Sequence, residues 1–318
     1  MSKEEQFLKR MASLLNVSES KARELFSQER KSVLRLNTLK VANPSTLLIS
    51  LNSIAKLEPI PWCANAYFIV DGKYELTKST EYAHGLFYLL NASSLIPPLV
   101  LDPKPGDVIL DMCAAPGGKT LHIAELSHNK AFIYANDESS ARMGIMKGLV
   151  KKHGAEVLHF MTVPAQFLTS NTKQKFDKIL LDAPCSGEGL LSLNSSEPMR
   201  YWSTSKIKRL AKLQKRIILQ AFDLLLPGGT LVYSTCTLAP EENEEVVQYL
   251  LENRPAAYIT EINLQLPNVQ KAITAWNDTN LKVDLNKAIR VIPSDYMEGF
   301  FVCKINKKTK SPSIETHS

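Results

Sequence analysis

No window of this 318-residue chain holds about 18 consecutive apolar residues, which leaves no candidate for a transmembrane helix. The first residues, MSKEEQFLKRM, are charged and lack the apolar centre of a secretory signal, so a cytoplasmic protein is expected. Cysteine is sparse. Cys63, Cys113, Cys185, Cys236 and Cys303 are odd in number and scattered, and no CxxC pair occurs. That excludes a disulfide framework and the usual zinc spacings, and no metal site is expected. The G-x-G-x-x-G fingerprint of dinucleotide folds is also missing. Acid is missing locally: from Met199 to Phe222 there are seven Lys/Arg and no Asp or Glu.

What is present describes a globular protein. The hydrophobic fraction is 44%, the charged fraction 22%, and the formal net charge +6, which rules out a largely disordered chain. The length suits one large and one small domain. The basic stretch 199–222 is predicted as a helix with an apolar face (Ile207, Leu210, Leu213, Ile217, Leu219) and a cationic one. A solvated face is the bland alternative; the lack of compensating acid favours contact with phosphate.

Residues 1–95 read as an accessory unit. Two amphipathic helices, the second capped by Ser18, precede an alternating strand at 32–40, a helix at 45–55 and a strand at 66–72. A helix at Thr80–Leu90 and a break at Pro97-Pro98 lead into the rest. From 96 to 307 strands and helices alternate: strands at 108–112, 131–137, 156–162, 176–184 and 230–237, the last after a Pro227-Gly228-Gly229 turn. A closing antiparallel pair lies near 288–293 and 299–306. This pattern predicts a doubly wound, Rossmann-like α/β sheet beside a small α+β N-terminal domain. The polar tail 308–318 is expected to be disordered. In such sheets ligands bind at the carboxyl ends of the strands, and Asp111, Asp137, Asp182 and Cys236 all fall there.

The segment VILDMCAAPGGKT joins a strand to a helix start through small residues. Ala114, Ala115, Gly117 and Gly118 let a ligand approach the backbone, and the helix start offers free N–H groups. A P-loop would need glycine at position 113, where Cys113 stands. S-adenosylmethionine fits better, with Asp137 one strand later for its ribose; a tight structural turn is the remaining alternative. Two further loops, LDAPCSGEG (181–189) and YSTCT (233–237), place Cys185 and Cys236 at neighbouring strand ends. A lone cysteine is ordinarily a small hydrophobe, and a thiol reacts only as thiolate, which needs a positive neighbour such as Lys119.

DMCAAPGGKT, LDAPCSGEG and YSTCTLAPEENEEVV resemble the signature segments of the Nol/Nop/Sun family of RNA cytosine-5 methyltransferases. The likeness extends from RLNTLK (35–40) through IPWC and GLFY to EGFFVCKINK (298–307), and the flanks look most like the bacterial small-subunit rRNA enzymes without their C-terminal extension. The resemblance implies S-adenosyl-L-methionine as cofactor and Cys236 as the nucleophile that adds to cytosine carbon 6. Cys185 would assist release of the methylated base, and Asp182 would hydrogen-bond the cytosine edge or the cofactor, fixed by Lys119. Cys113, Ala114, Ala115, Pro116, Gly117, Gly118 and Lys119 would cradle the methionine portion, with Asp137 on the ribose. Arg142 would support that strand end. RNA is the expected partner, rRNA before tRNA, with no membrane and no obligate protein partner. Arg35, Lys208, Arg209, Lys212 and Arg216 are candidate phosphate contacts, and Tyr201 and Trp202 candidate stacking residues unless they pack beneath the helix. Three departures stand out: Val163-Pro164 where relatives carry an adenine-reading acid, Leu90-Asn91 for an acid or amide pair, and LLSLNSSEP after GEG. They leave open a catalytically weak RNA-binding protein on the same scaffold.

Overall fold

In the computed structural model of the chain, residues 1–195, 199–276, 279–281 and 283–309 are described; nearly all of the tail expected at 308–318 lies outside them. Helices α1 (Lys3–Leu15) and α2 (Glu19–Ser27) open the chain. Ser2 and Glu5 form a capping box on α1, and the Ser18 side chain accepts from the Lys21 N–H to start α2. Phe7, Leu8, Met11 and Phe26 cluster with Trp202, Ile207, Leu238 and Ala239. Both helices therefore lean on the loop that follows Cys236.

A four-stranded antiparallel sheet comes next: β1 (Val33–Leu36), α3 (Pro44–Asn52), β2 (Lys56–Pro59), β3 (Ala66–Asp71), α4 (Lys73–Lys78), α5 (Thr80–Ala83) and β4 (Phe87–Leu90), in the order β2-β3-β1-β4. The helix expected over Thr80–Leu90 ends at Ala83. Gly85, at φ +69°, turns the chain where a Cβ would meet the Lys152 carbonyl at 2.7 Å, and Phe87–Leu90 then pairs with β1. β1 does alternate, but both of its faces are covered. Leu34 and Leu36 join Leu51 and Phe87 on one side, while Val33 joins the core of the larger unit on the other.

The remainder forms a nine-stranded sheet. In chain order the elements are α6 (Ile96–Leu101), β5 (Val108–Asp111), α7 (Gly118–Leu126), β6 (Phe132–Asn136), α8 (Ser140–His153), β7 (His159–Met161), α9 (Leu168–Asn171), β8 (Phe176–Asp182), α10 (Thr204–Leu224) and β9 (Leu225–Thr235). Then come α11 (Glu244–Asn253), β10 (Ala257–Thr260), β11 (Val269–Lys271), the hairpin β12 (Ala275–Trp276) and β13 (Thr279–Asn280), β14 (Ile289–Val291) and β15 (Phe300–Lys307). The sheet order is β11-β14-β15-β9-β8-β5-β6-β7, with β10 also on β15. β5 to β9 run parallel; β15 is antiparallel to β9 and β14. The double winding is visible in the side chains: Ile109, Ile133, Leu180 and Val232 face one core, Leu110, Ile179, Leu181 and Leu231 the other.

Two proline signals read differently in the structure. Pro97-Pro98 does not break the chain but begins α6, where the missing N–H groups cost nothing. Pro227-Gly228-Gly229 is an irregularity within β9, where the β8–β9 register shifts. The chain order reverses between β5 and β8, which opens a crevice at the carboxyl ends of those strands.

Candidate active site

Asp111 ends β5, and its neighbour Met112 still donates to the Leu180 carbonyl of β8 at 2.9 Å, so the strand delivers the small-residue loop straight into the crevice. Gly117, at φ +112°, occupies the left-handed region and begins α7 with no side-chain cap, leaving the first N–H groups of α7 for a ligand. A Cβ on Gly118 would strike the Tyr88 ring at 2.9 Å. Glycine there lets the small sheet dock against the loop.

Asp137, 3% exposed, is held by three donors: Ala115 N at 3.2 Å, Ser139 N at 3.0 Å and the Arg142 guanidinium at 3.2 Å. Arg142 also donates to the Ala115 carbonyl, so the arginine ties the end of β6 to the loop. Asp182, at the end of β8, accepts from Lys119 Nζ at 2.6 Å and from Ser234 Oγ at 2.8 Å. Burial pulls the Lys119 ammonium down, but Asp182 outweighs it, aided by Asp111 and Cys236, and the net shift is upward. Burial pushes the Asp111 carboxyl up to about 7; its Oδ2 accepts from Thr120 at 2.6 Å.

The two loop cysteines meet, with Cys185 Sγ 3.1 Å from Cys236 Sγ. The Cys185 thiol is pushed well up, first by its hydrogen bond to Cys236 and then by burial. Both sulfurs face a cleft of about 720 Å³, which also holds Cys113, Ala115, Asp137, Arg142, Gln166, Asp182 and the α10 residues Leu213 and Ile217. A second cavity, lined by Tyr88, Asn91, Ser94, Lys119 and Asp182, adjoins it. Cys63 and Cys303 are fully covered elsewhere, and burial raises both thiols.

The structure thus brings together the residues expected around the cofactor and the cysteines, except that Gly117 lines neither cavity and a Cβ on it would face Met146 of α8. Of the expected phosphate contacts, Lys208, Arg209, Lys212 and Arg216 lie exposed on α10, whose opposite side forms the cleft wall. Arg35 does not join them. It is 2% exposed, facing α7 from the covered β1, with Nη2 2.8 Å from the Glu125 carboxylate. The strand period placed it on a polar face, and the packing of the small sheet on α7 buried that face. Trp202 is buried and donates to Glu188 at 2.9 Å, whereas Tyr201 is exposed. Gln166 and Ser234 were not assigned to the site from the sequence, and Leu213 was expected only as part of the apolar face of its helix. Only Ser234 carried a site signal in the sequence, its place within YSTCT. At Val163 the backbone is clamped by Asn136, whose amide donates to the Val163 carbonyl at 2.9 Å and accepts from its N–H at 3.1 Å. That carbonyl is therefore already engaged.

One close contact seats the Cys236 loop. Gly189 N donates to the Cys236 carbonyl at 3.0 Å, and the Gly189 carbonyl accepts from Gly299 N at 3.1 Å. A Cβ on Gly189 would lie 1.8 Å from the Gly299 oxygen. Gly189→Ala is expected to destabilise the fold by about 3 kcal/mol or more, the upper end for forced overpacking. Urea unfolding measures this, and an unchanged midpoint would show that the contact relaxes.

Parallel strands ordered β7-β6-β5-β8-β9, an antiparallel β15 beside them and a cleft at their carboxyl ends define a Rossmann-like methyltransferase. A family model described as 16S rRNA methyltransferase RsmB/F matches residues 98–306, and one for the N-terminal domain of 16S rRNA methyltransferase RsmF matches 4–92. The chain belongs to this RsmB/F family of RNA cytosine-5 methyltransferases. It is 39% identical to a tRNA (cytosine(49)-C(5))-methyltransferase of Pyrococcus abyssi, over 89% of this chain and 90% of that protein. It is 34% identical to ribosomal RNA small subunit methyltransferase F of Shewanella loihica, over 88% of this chain but 57% of that protein. A crystal structure of a methyltransferase homolog protein from Pyrococcus horikoshii superposes with a TM-score of 0.77 at 31% identity, covering 95% of this chain and 99% of that one.

The family's methyl donor is S-adenosyl-L-methionine, and the residues present fit it. The uncapped start of α7 suits its carboxylate and the buried Asp137 carboxylate its ribose hydroxyls. Among the described residues no helix is long and apolar enough to cross a membrane, and no cluster of potential metal ligands occurs.

Proposed function

We propose that this chain methylates carbon 5 of a cytosine in a structured RNA by covalent catalysis, with Cys236 as nucleophile and Cys185 as its partner in release. The observation that carries this reading is the pair of sulfurs 3.1 Å apart at the mouth of the cleft. Carbon 5 of cytosine is a poor nucleophile. When a thiolate adds to carbon 6, a carbon–sulfur bond forms, electron density moves to carbon 5, and the ring nitrogen takes up a proton. Asp182, held by Lys119 and Ser234, is placed to bind that protonated edge. S-adenosyl-L-methionine, when bound, supplies the methyl group that carbon 5 accepts. For release, the carbon 5 proton passes to solvent water, the carbon–sulfur bond breaks with Cys236 leaving as thiolate, and the ring nitrogen gives back its proton. Cys185, its sulfur 3.1 Å from that of Cys236, stands at the leaving group.

Cys113 to Lys119 and Asp137 would hold the cofactor, with Arg142 fixing Asp137. The exposed Lys208, Arg209, Lys212 and Arg216 would meet phosphates beside the cleft, and Tyr201 would stack on a base. Residues 1–95 would extend this platform through surfaces other than Arg35. The target base has to leave its stack to reach Cys236.

The substrate is tRNA in the reading we favour, because the P. abyssi tRNA enzyme matches this chain along nearly its whole length. rRNA is the second reading, supported by the family models. Purified protein, methyl-labelled cofactor and separate tRNA and small-subunit rRNA transcripts test both, with bisulfite sequencing to locate the product. Label in one cytosine of tRNA supports the first reading and label in rRNA the second. No transfer to either overturns the proposal.

A further inference from the structure

The run after Cys236, Leu238 to Glu245, is rich in acid, and its carboxylates are secured in different ways. Glu241 is gripped by Arg10 of α1, Glu244 by the buried Arg290 of β14, and Glu245 by Lys215 of α10. Glu242, fully buried, is held by neutral donors instead. Its Oε1 accepts from Ser186 N at 2.9 Å and from Gln214 Nε2 at 3.0 Å, and its Oε2 accepts from Ser186 Oγ. Gln214 also donates to the Pro184 carbonyl at 2.8 Å, so the residues on both sides of Cys185 are tied to Glu242. On the other side, Tyr233 Oη donates to the Glu242 carbonyl at 2.5 Å, and Ser186 Oγ lies 2.9 Å from Thr237 Oγ1, next to Cys236.

We propose that Glu242 is a positioning residue that fixes the Cys185 loop against the Cys236 loop and thereby governs release of the methylated base. This rests on the roles proposed above for the two cysteines. Lys206 Nζ also donates to the Ser186 carbonyl at 3.0 Å and Gly189 N to the Cys236 carbonyl at 3.0 Å, but Glu242 belongs to the Cys236 loop itself and reaches the residues on both sides of Cys185. One carboxylate that bonds the backbone and side chain of Ser186, and shares Gln214 with Pro184, removes the freedom of the Cys185 loop to swing away. Burial pushes the Glu242 carboxyl up to about 7, with Ser186 opposing and Glu188 adding to the rise; the Arg10 guanidinium also faces it. A neutral isostere therefore suits the site.

Glu242→Ala and Glu242→Gln test the proposal together. The alanine variant should lose about a hundredfold in kcat, the cost of misplacing a reacting group by ~1 Å, with KM for RNA within about twofold. A covalent protein–RNA species should accumulate on denaturing gels. In the RNA-free protein, Cys185 should react several-fold faster with iodoacetamide. The glutamine variant keeps an oxygen for Ser186 N and Gln214 and an amide for Ser186 Oγ, and should recover most of the turnover. Unchanged turnover and alkylation in a folded alanine variant overturn the proposal, as does an equal loss in both variants. Should the alanine variant fail to fold, Glu242→Asp, which withdraws the carboxylate by one methylene, gives the same readouts. The alkylation arm needs no RNA. If Cys236→Ala still forms a covalent species with RNA, the reading of the cysteines fails while the effect of Glu242 on its loop is still measured.

Discussion

Cys236→Ala is expected to remove methyl transfer altogether, a loss on the order of 10⁴-fold or more, because no other group can open the covalent route. The alternatives are few. Cys113, which shares the cleft, is pushed well up by burial and by the surrounding carboxylates, so it is a poor thiolate. The Cys185 thiol is likewise pushed well up, by its hydrogen bond to Cys236 and by burial. The substitution should leave folding intact, since Cys236 is only half-buried and the loop is fixed by its backbone and by Thr235 and Thr237, both bonded to Asn243. Methyl-labelled cofactor with RNA substrate gives the rate, and calorimetry should show cofactor binding unchanged. Full activity in this variant would end the covalent assignment.

Cys185→Ser should behave differently. Addition of Cys236 to the base does not need Cys185, but release does, so the protein should stall with RNA attached. Turnover is expected to fall by about 10²–10⁴-fold, the span of a lost acid–base group. A slow-migrating band should appear on a denaturing gel, vanish on nuclease treatment, and be absent from the Cys185→Ser, Cys236→Ala double variant. A low rate with no trapped species would assign Cys185 a merely structural part. The two single variants thus separate attack from release, which one activity assay on either alone does not.

Much of the site could be read from the chain because its residues sit in short contiguous segments at strand ends. Asp111, Asp137, Asp182 and Cys236 needed only the strand–helix alternation to be placed on one rim. The meeting of Cys185 and Cys236 followed from β8 and β9 being neighbours. Arg35 shows where local pattern fails: a strand period tells two faces apart but not whether a second layer covers the polar one. The helix expected at 80–90 failed for a related reason. FYLL has no distinct helical or strand period of its own, and its pairing with β1 decided the outcome. Glu242 lay within a run of acids that reads as a solvated helix start; only the tertiary structure separates the one acid held by neutral donors from those held by cations.

The placement of α1 has a practical consequence. Arg10 reaches Glu241 and Glu188, and Phe7 meets the Trp202 ring edge-on at 5.5 Å. A protease nick near residue 30, or a fusion junction there, would detach not a loose RNA-gripping appendage but the outer wall of the reactive-sulfur loop. Swapping the opening helices between relatives should therefore alter turnover as well as RNA choice, so grafts meant to redirect specificity must carry the 236–244 loop with them.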